Sequence, residues 1–82
     1  MFADRLRAAM AERGWSAMDL AARMEGVASR RTVYEWIAGN RAPSLVALVA
    51  LLDALGVERA SAAAVAWQND AARASAARVS DR

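Results

Sequence analysis

Apolar side chains at Phe2, Leu6, Ala9 and Met10, continued by the aliphatic stem of Arg13, recur at the spacing of one helical face and predict a helix over residues 2 to 13. Gly14 ends it. Ser16 then suits an N-cap, Asp19 three positions on completes an acidic variant of the capping box, and Trp15 is placed to pack on Leu20, so a second helix is expected over about residues 17 to 24. After the break at Gly26, Ser29 is the next cap, opening a third helix on which Val33, Trp36 and Ile37 share one side and which Gly39 closes. Pro43 and Ser44 restart the chain into a fourth helix, with Leu45, Leu48, Val49, Leu52 and Leu55 expected inward and Gly56 as its stop. From Ala60 to Val79 alanine dominates, and a sparse stripe of Ala60, Ala64, Trp67, Ala71 and Ala74 predicts a fifth helix. No strand-type alternation occurs, so the expected fold class is all-α.

Composition narrows the chemistry. At 82 residues the chain is one domain's worth of sequence, able to bury roughly 60% of its unfolded surface. It has no cysteine and no histidine, which excludes disulfides and zinc fingers and leaves only carboxylates for a hard cation. Acyl-transfer chemistry lacks its common base, and the serines sit mostly where caps are expected. The sequence therefore predicts no catalytic residue, no metal site, no cofactor and no enzyme activity. The N-terminus lacks the basic and apolar segments of a signal peptide, and the longest apolar run, Leu45 to Leu52, falls far below the roughly 20 residues that span a bilayer. A cytoplasmic protein without a membrane partner is expected.

Charge is unevenly placed. Residues 1 to 52 carry seven arginines against five acids, whereas residues 53 to 82 balance four against four. At 100° per residue, Val33, Trp36 and Ile37 cluster on one side of the third helix, which leaves Arg31, Tyr34, Glu35 and Ala38 on the other with Arg30 on the flank. That outer face suits base reading. Arginine can meet guanine O6 and N7 together, Tyr34 offers a ring and a hydroxyl, and Glu35 can accept from cytosine N4 or hold Arg31 in an extended rotamer. Groups suited to phosphate surround it: Ser16 and Ala17 at the start of the second helix, Ser29, Thr32, and the loop of Asn40 and Arg41. Trp15 and Trp36 occupy apolar or staple positions and read as packing.

These residues form a familiar pattern. Leu6-Arg7, Glu12-Arg13-Gly14-Trp15-Ser16, Leu20-Ala21, Thr32-Val33, Trp36, Gly39-Asn40-Arg41-Ala42-Pro43-Ser44 and a leucine-rich helix ending Ala54-Leu55-Gly56-Val57 together resemble the lambda-repressor-like (Cro/cI, XRE) helix-turn-helix family. The resemblance covers about residues 2 to 58. It implies a compact five-helix fold whose third helix lies in the major groove, with base contacts at Arg30, Arg31 and Glu35 and with Tyr34 nearby. It also implies phosphate contacts at Ser29, Asn40 and Arg41, and dimers on paired half-sites. The chain departs from the family pattern in a longer stretch from Met24 to Val33, which calls for a looser turn, and in Ala17, where the family often has glutamine.

Two functions follow as expectations. The first is a transcriptional regulator, a small repressor that binds a double-stranded, near-palindromic DNA operator as a homodimer; the second is an antitoxin or adaptor whose main partner is a protein, such as a toxin or a polymerase subunit. Residues 1 to 58 are expected to be the DNA-binding domain. Residues 59 to 82 are expected to form an alanine-rich helix and a frayed tail. Val65, Trp67, Ala71 and Ala74 on this helix either pack two copies together or fold back on the first and fourth helices.

Overall fold

The computed structural model describes residues 2–80, with side chains through Ala76, and consists of five helices: α1 (Phe2–Arg13), α2 (Ala17–Arg23), α3 (Arg30–Ala38), α4 (Leu45–Leu55) and α5 (Ala62–Ser80). Local hydrogen bonds set their starts. The Ser16 hydroxyl accepts from the Asp19 amide at 3.1 Å while the Asp19 carboxylate accepts from the Ser16 amide at 2.8 Å, a complete capping box. Ser29, Ser44 and Ser61 cap α3, α4 and α5 by accepting from the amides of Thr32, Ala47 and Ala64. The fifth helix thus starts later than the alanine stripe suggests, and Ala60 lies exposed ahead of it. The expected frayed tail lies outside the described residues.

Three helices close with the same pair of bonds. The amides of Gly14, Gly39 and Gly56 return to the carbonyls of Ala11, Trp36 and Asp53, and those of Trp15, Asn40 and Val57 to Met10, Glu35 and Leu52. This pairing satisfies carbonyls that would otherwise end the helix without partners. At α1 and α4 the outer bond joins two apolar residues, Met10 with Trp15 and Leu52 with Val57. At α3 it joins Glu35 with Asn40, both polar.

One core runs through all five helices. Phe2, Leu6, Ala9 and Met10 of α1, Leu20 and Met24 of the α2 region, Val33 and Trp36 of α3, five residues of α4, and Ala64, Trp67 and Ala71 of α5 are buried together. Helix α2 packs on α3, α1 on both α3 and α5, and α4 on α5. The inward stripe of α4 is Ala47, Leu48, Leu51, Leu52 and Leu55: Leu48, Leu52 and Leu55 are buried as expected, while Ala47 and Leu51 stand in for Leu45 and Val49. Leu45 is 69% exposed, because two positions before Ala47 is nearly the opposite side of a helix. A run in which every residue is apolar carries no phase, and packing chose it.

Arginines tie the helices together where apolar contacts stop. Arg13 donates through Nε and Nη2 to the Leu55 carbonyl at 3.2 and 2.7 Å, occupying the free C-terminal end of α4. Arg7 donates to the Ile37 carbonyl near the end of α3. Arg5 donates to Asp70 of α5 at 2.6 Å, and this hydrogen bond holds the Asp70 carboxyl below the usual aspartate range despite its burial.

Candidate nucleic-acid interface

Helix α3 presents its inner side to the core and its outer side to solvent with little between. Val33 and Trp36 are fully buried, whereas Arg30, Arg31, Tyr34 and Ala38 are exposed. Trp36 is therefore a packing residue, and its Nε1 is buried with no hydrogen-bond partner. Arg30, Arg31, Tyr34, Glu35, Ala38 and Asn40 line one shallow open depression along the outer side. The four expected base-reading residues are thus brought together, with Asn40 at one end. The polar closing pair noted above, Glu35 and Asn40, belongs to this surface.

The groups expected at phosphates divide into two sets. Ser29, Thr32 and Arg41 line a second cleft, between the start of α3 and the start of α4, together with Pro43 and Ser44. Within it the Ser29 hydroxyl accepts from the Thr32 amide and donates to Thr32 Oγ1 at 2.9 Å, so its one proton is already placed. Ser16 and Ala17 lie elsewhere, at the start of α2, and line neither depression. There the Ser16 amide is already taken by Asp19. The two hydrogen bonds from Ser16 hold the Asp19 carboxyl below its ordinary range. An ionised carboxylate at that helix start opposes a phosphate.

The arginine excess of the N-terminal half is only partly an interface. Arg5, Arg7 and Arg13 are engaged with Asp70, Ile37 and Leu55 inside the fold, and the Arg23 guanidinium lies 4.1 Å above the Trp15 ring. Arg30, Arg31 and Arg41 stand on or beside the outer face of α3, the last two ion-paired with Glu35 of that same face. These internal partners were missed from the sequence. The cue that was available is the position of Asp70, one residue before the predicted stripe position Ala71.

The expected dimerisation residues separate as well. Trp67 and Ala71 are 4% and 6% exposed; Trp67 meets Phe2 edge to face at 5.7 Å within the same chain, so neither is open to a second copy. Ala74 is half-buried against the core, and Val65 alone of the four is on the surface, at 52% exposure. Folding back on α1, the second alternative left by the sequence, is what the structure shows.

Two adjacent helices, α2 and α3, the second carrying Arg30 and Arg31 outward with Arg41 in the loop that follows, define a helix-turn-helix of the DNA-binding kind. A family model described as a helix-turn-helix domain matches residues 1–65, and the chain belongs to that family. The match agrees with the lambda-repressor-like resemblance and ends inside α5. Comparison with curated proteins and with solved structures gives no match. Among the described residues no helix is long and apolar enough to cross a membrane, and no three carboxylates cluster as a metal site.

Proposed function

We propose that this chain is a sequence-specific transcriptional regulator, a small repressor that lays α3 in the major groove of a near-palindromic operator and binds it as a homodimer. The observation that carries this reading is the allocation of arginine. Those on α1 bond to α3, α4 and α5 of the same fold, and those on α3 and the loop after it face outward along the depression and the cleft beside it. Arg30 and Arg31 stand at the N-terminal end of α3, the end a recognition helix directs at base edges. Arg41, with Ser29 and Thr32, lies to the side, where contact to the sugar-phosphate backbone positions the protein without specifying sequence. A dimer would set two copies of α3 roughly 34 Å apart, one helical turn of DNA. Of the residues expected to join the copies, Val65 is the one on the surface.

Two substitutions test the division of labour. Arg31→Ala should relax preference at one base step, lowering discrimination there by about 1 to 3 kcal/mol. Arg41→Ala should weaken all duplexes alike and reduce the salt slope by about one unit. Equal losses of the same kind from both variants would refute the assignment.

A second reading, an adaptor or antitoxin whose principal partner is a protein, is favoured by one feature: Leu45 and Val46 on the first turn of α4 are 69% and 79% exposed. Salt separates the two readings. Duplex binding weakens steeply with salt, with a slope near −0.9 per phosphate neutralised, whereas an apolar protein interface barely responds.

A further inference from the structure

Glu35 stands between the two kinds of DNA contact just described. Its Oε1 accepts from Arg31 Nε at 3.3 Å, and its Oε2 is ion-paired with Arg41 Nε at 3.1 Å. One carboxylate therefore joins a residue of α3's first turn to a residue of the loop that follows α3. Exposure orders the three groups. The Arg31 and Arg41 side chains are 90% and 51% exposed and that of Glu35 only 24%, so the arginines stand outside and the carboxylate beneath them. Both arginines meet Glu35 through Nε, and among the described residues no hydrogen bond engages the terminal Nη1 or Nη2 of either guanidinium. A terminal pair of this kind is what meets guanine O6 and N7, or two phosphate oxygens.

We propose that Glu35 is a positioning residue for sequence reading rather than a base reader. It anchors Arg31 and Arg41 by their inner nitrogens, aims their outer edges at the duplex, and couples the base contact of one to the phosphate contact of the other. Its charge has a second effect. A carboxylate under the reading face repels the phosphates of every duplex alike, and only a duplex that supplies the guanine contact aimed by it recovers that loss. Glu35 thus raises specificity at the expense of unspecific affinity. This inference rests on the regulator reading above.

The test is a mutant cycle on the full chain. A duplex selected from a random library by the wild-type protein and a scrambled duplex are titrated with wild type, Glu35→Gln, Arg31→Ala and the double variant, with thermal melting as a check on folding. Glu35→Gln keeps the shape and one acceptor oxygen but removes the anion. It should lower the selected-to-scrambled affinity ratio by about tenfold, through weaker scrambled-duplex discrimination at the base pair that Arg31→Ala also relaxes. In the Arg31→Ala background it should change the ratio by less than about twofold, because its effect on reading passes through Arg31. Relaxation at a different base pair, with losses that multiply in the double variant, would show that Glu35 reads a base itself. An unchanged ratio would reduce the cluster to a surface ion pair.

A failure of the regulator reading is distinguishable from both outcomes, since the wild type would then select no sequence. The positioning claim is still decided in the free protein by the Nε–H resonances of Arg31 and Arg41. Both should shift and exchange faster with water in Glu35→Gln, and unchanged resonances would overturn it.

Discussion

Replacing Trp67 by alanine asks whether α5 belongs to the domain or merely follows it. Trp67 is buried between α5 and α1, edge-on to Phe2 with an interplanar angle of 75°, and Ala64 and Ala71 are buried one turn to either side. A tryptophan buries about 150 to 250 Å², which at about 25 cal/mol per Å² corresponds to roughly 4 to 6 kcal/mol for the whole side chain. Alanine retains part of that area, and large aromatic-to-alanine changes in cores cost about 3 to 5 kcal/mol. A domain of this length is stable by only about 4 to 12 kcal/mol, so the substitution should remove about a quarter of the total or more. Urea unfolding followed by far-ultraviolet circular dichroism reads the loss, and Trp15 and Trp36 remain as fluorescent reporters of the other helices. The expected result is a midpoint lowered by at least about 1 M, with both signals moving together. A midpoint within about 0.3 M of wild type, or a separate early loss of α5 helicity while tryptophan fluorescence stays native, would refute the single-core account.

Two further perturbations follow from named contacts. The Arg5 hydrogen bond lowers the pKa of Asp70 in the folded state, so the pair's contribution is complete above the unfolded value of about 3.9 and is lost as pH falls through the folded value below it. Asp70→Asn should therefore cost about 1 to 2 kcal/mol at pH 7 and progressively less as the folded protein is titrated through the Asp70 carboxyl on the acid side, by thermal or urea unfolding; a cost still unchanged once NMR shows that carboxyl protonated would contradict the pairing. Gly39 closes α3 at φ +85°, and an added Cβ would meet only the Ala3 Cβ, at an ordinary 3.5 Å. Gly39→Ala should thus cost about 1 to 2 kcal/mol from backbone strain alone, and a neutral result would mean that the loop relaxes into another conformation.

Much of this was legible in the chain because the signals are local. A serine cap bonds an amide three residues away, and the starts of α2, α3 and α4 and the ends of α1, α3 and α4 follow from such short-range chemistry. The outer face of α3 was legible for the same reason, since Val33 and Trp36 fix the rotation of the helix and leave Arg31, Tyr34 and Glu35 opposite. The phase of α4 was legible only in part: Leu48, Leu52 and Leu55 point inward as read, but Leu45 to Leu52 contains no polar residue to exclude Leu45 and Val49. Arg5 with Asp70 and Arg13 with the Leu55 carbonyl join positions 65 and 42 residues apart, and no spacing rule reaches that far. Trp67 shows the limit most clearly: its stripe was correctly helical, but only the packing of α1 decides whether it meets Phe2 or a second copy.

The family assignment makes DNA binding the first question to ask of this surface, and the arrangement of Arg30, Arg31 and Arg41 makes a definite claim about how it is done. Selection of bound sequences from a random duplex library tests that claim most directly. Enrichment of a two-fold symmetric sequence, with half-sites about one helical turn apart and with a guanine preference that disappears in Arg31→Ala, is the predicted result. Absence of enrichment, or an enriched sequence indifferent to Arg31, would contradict it.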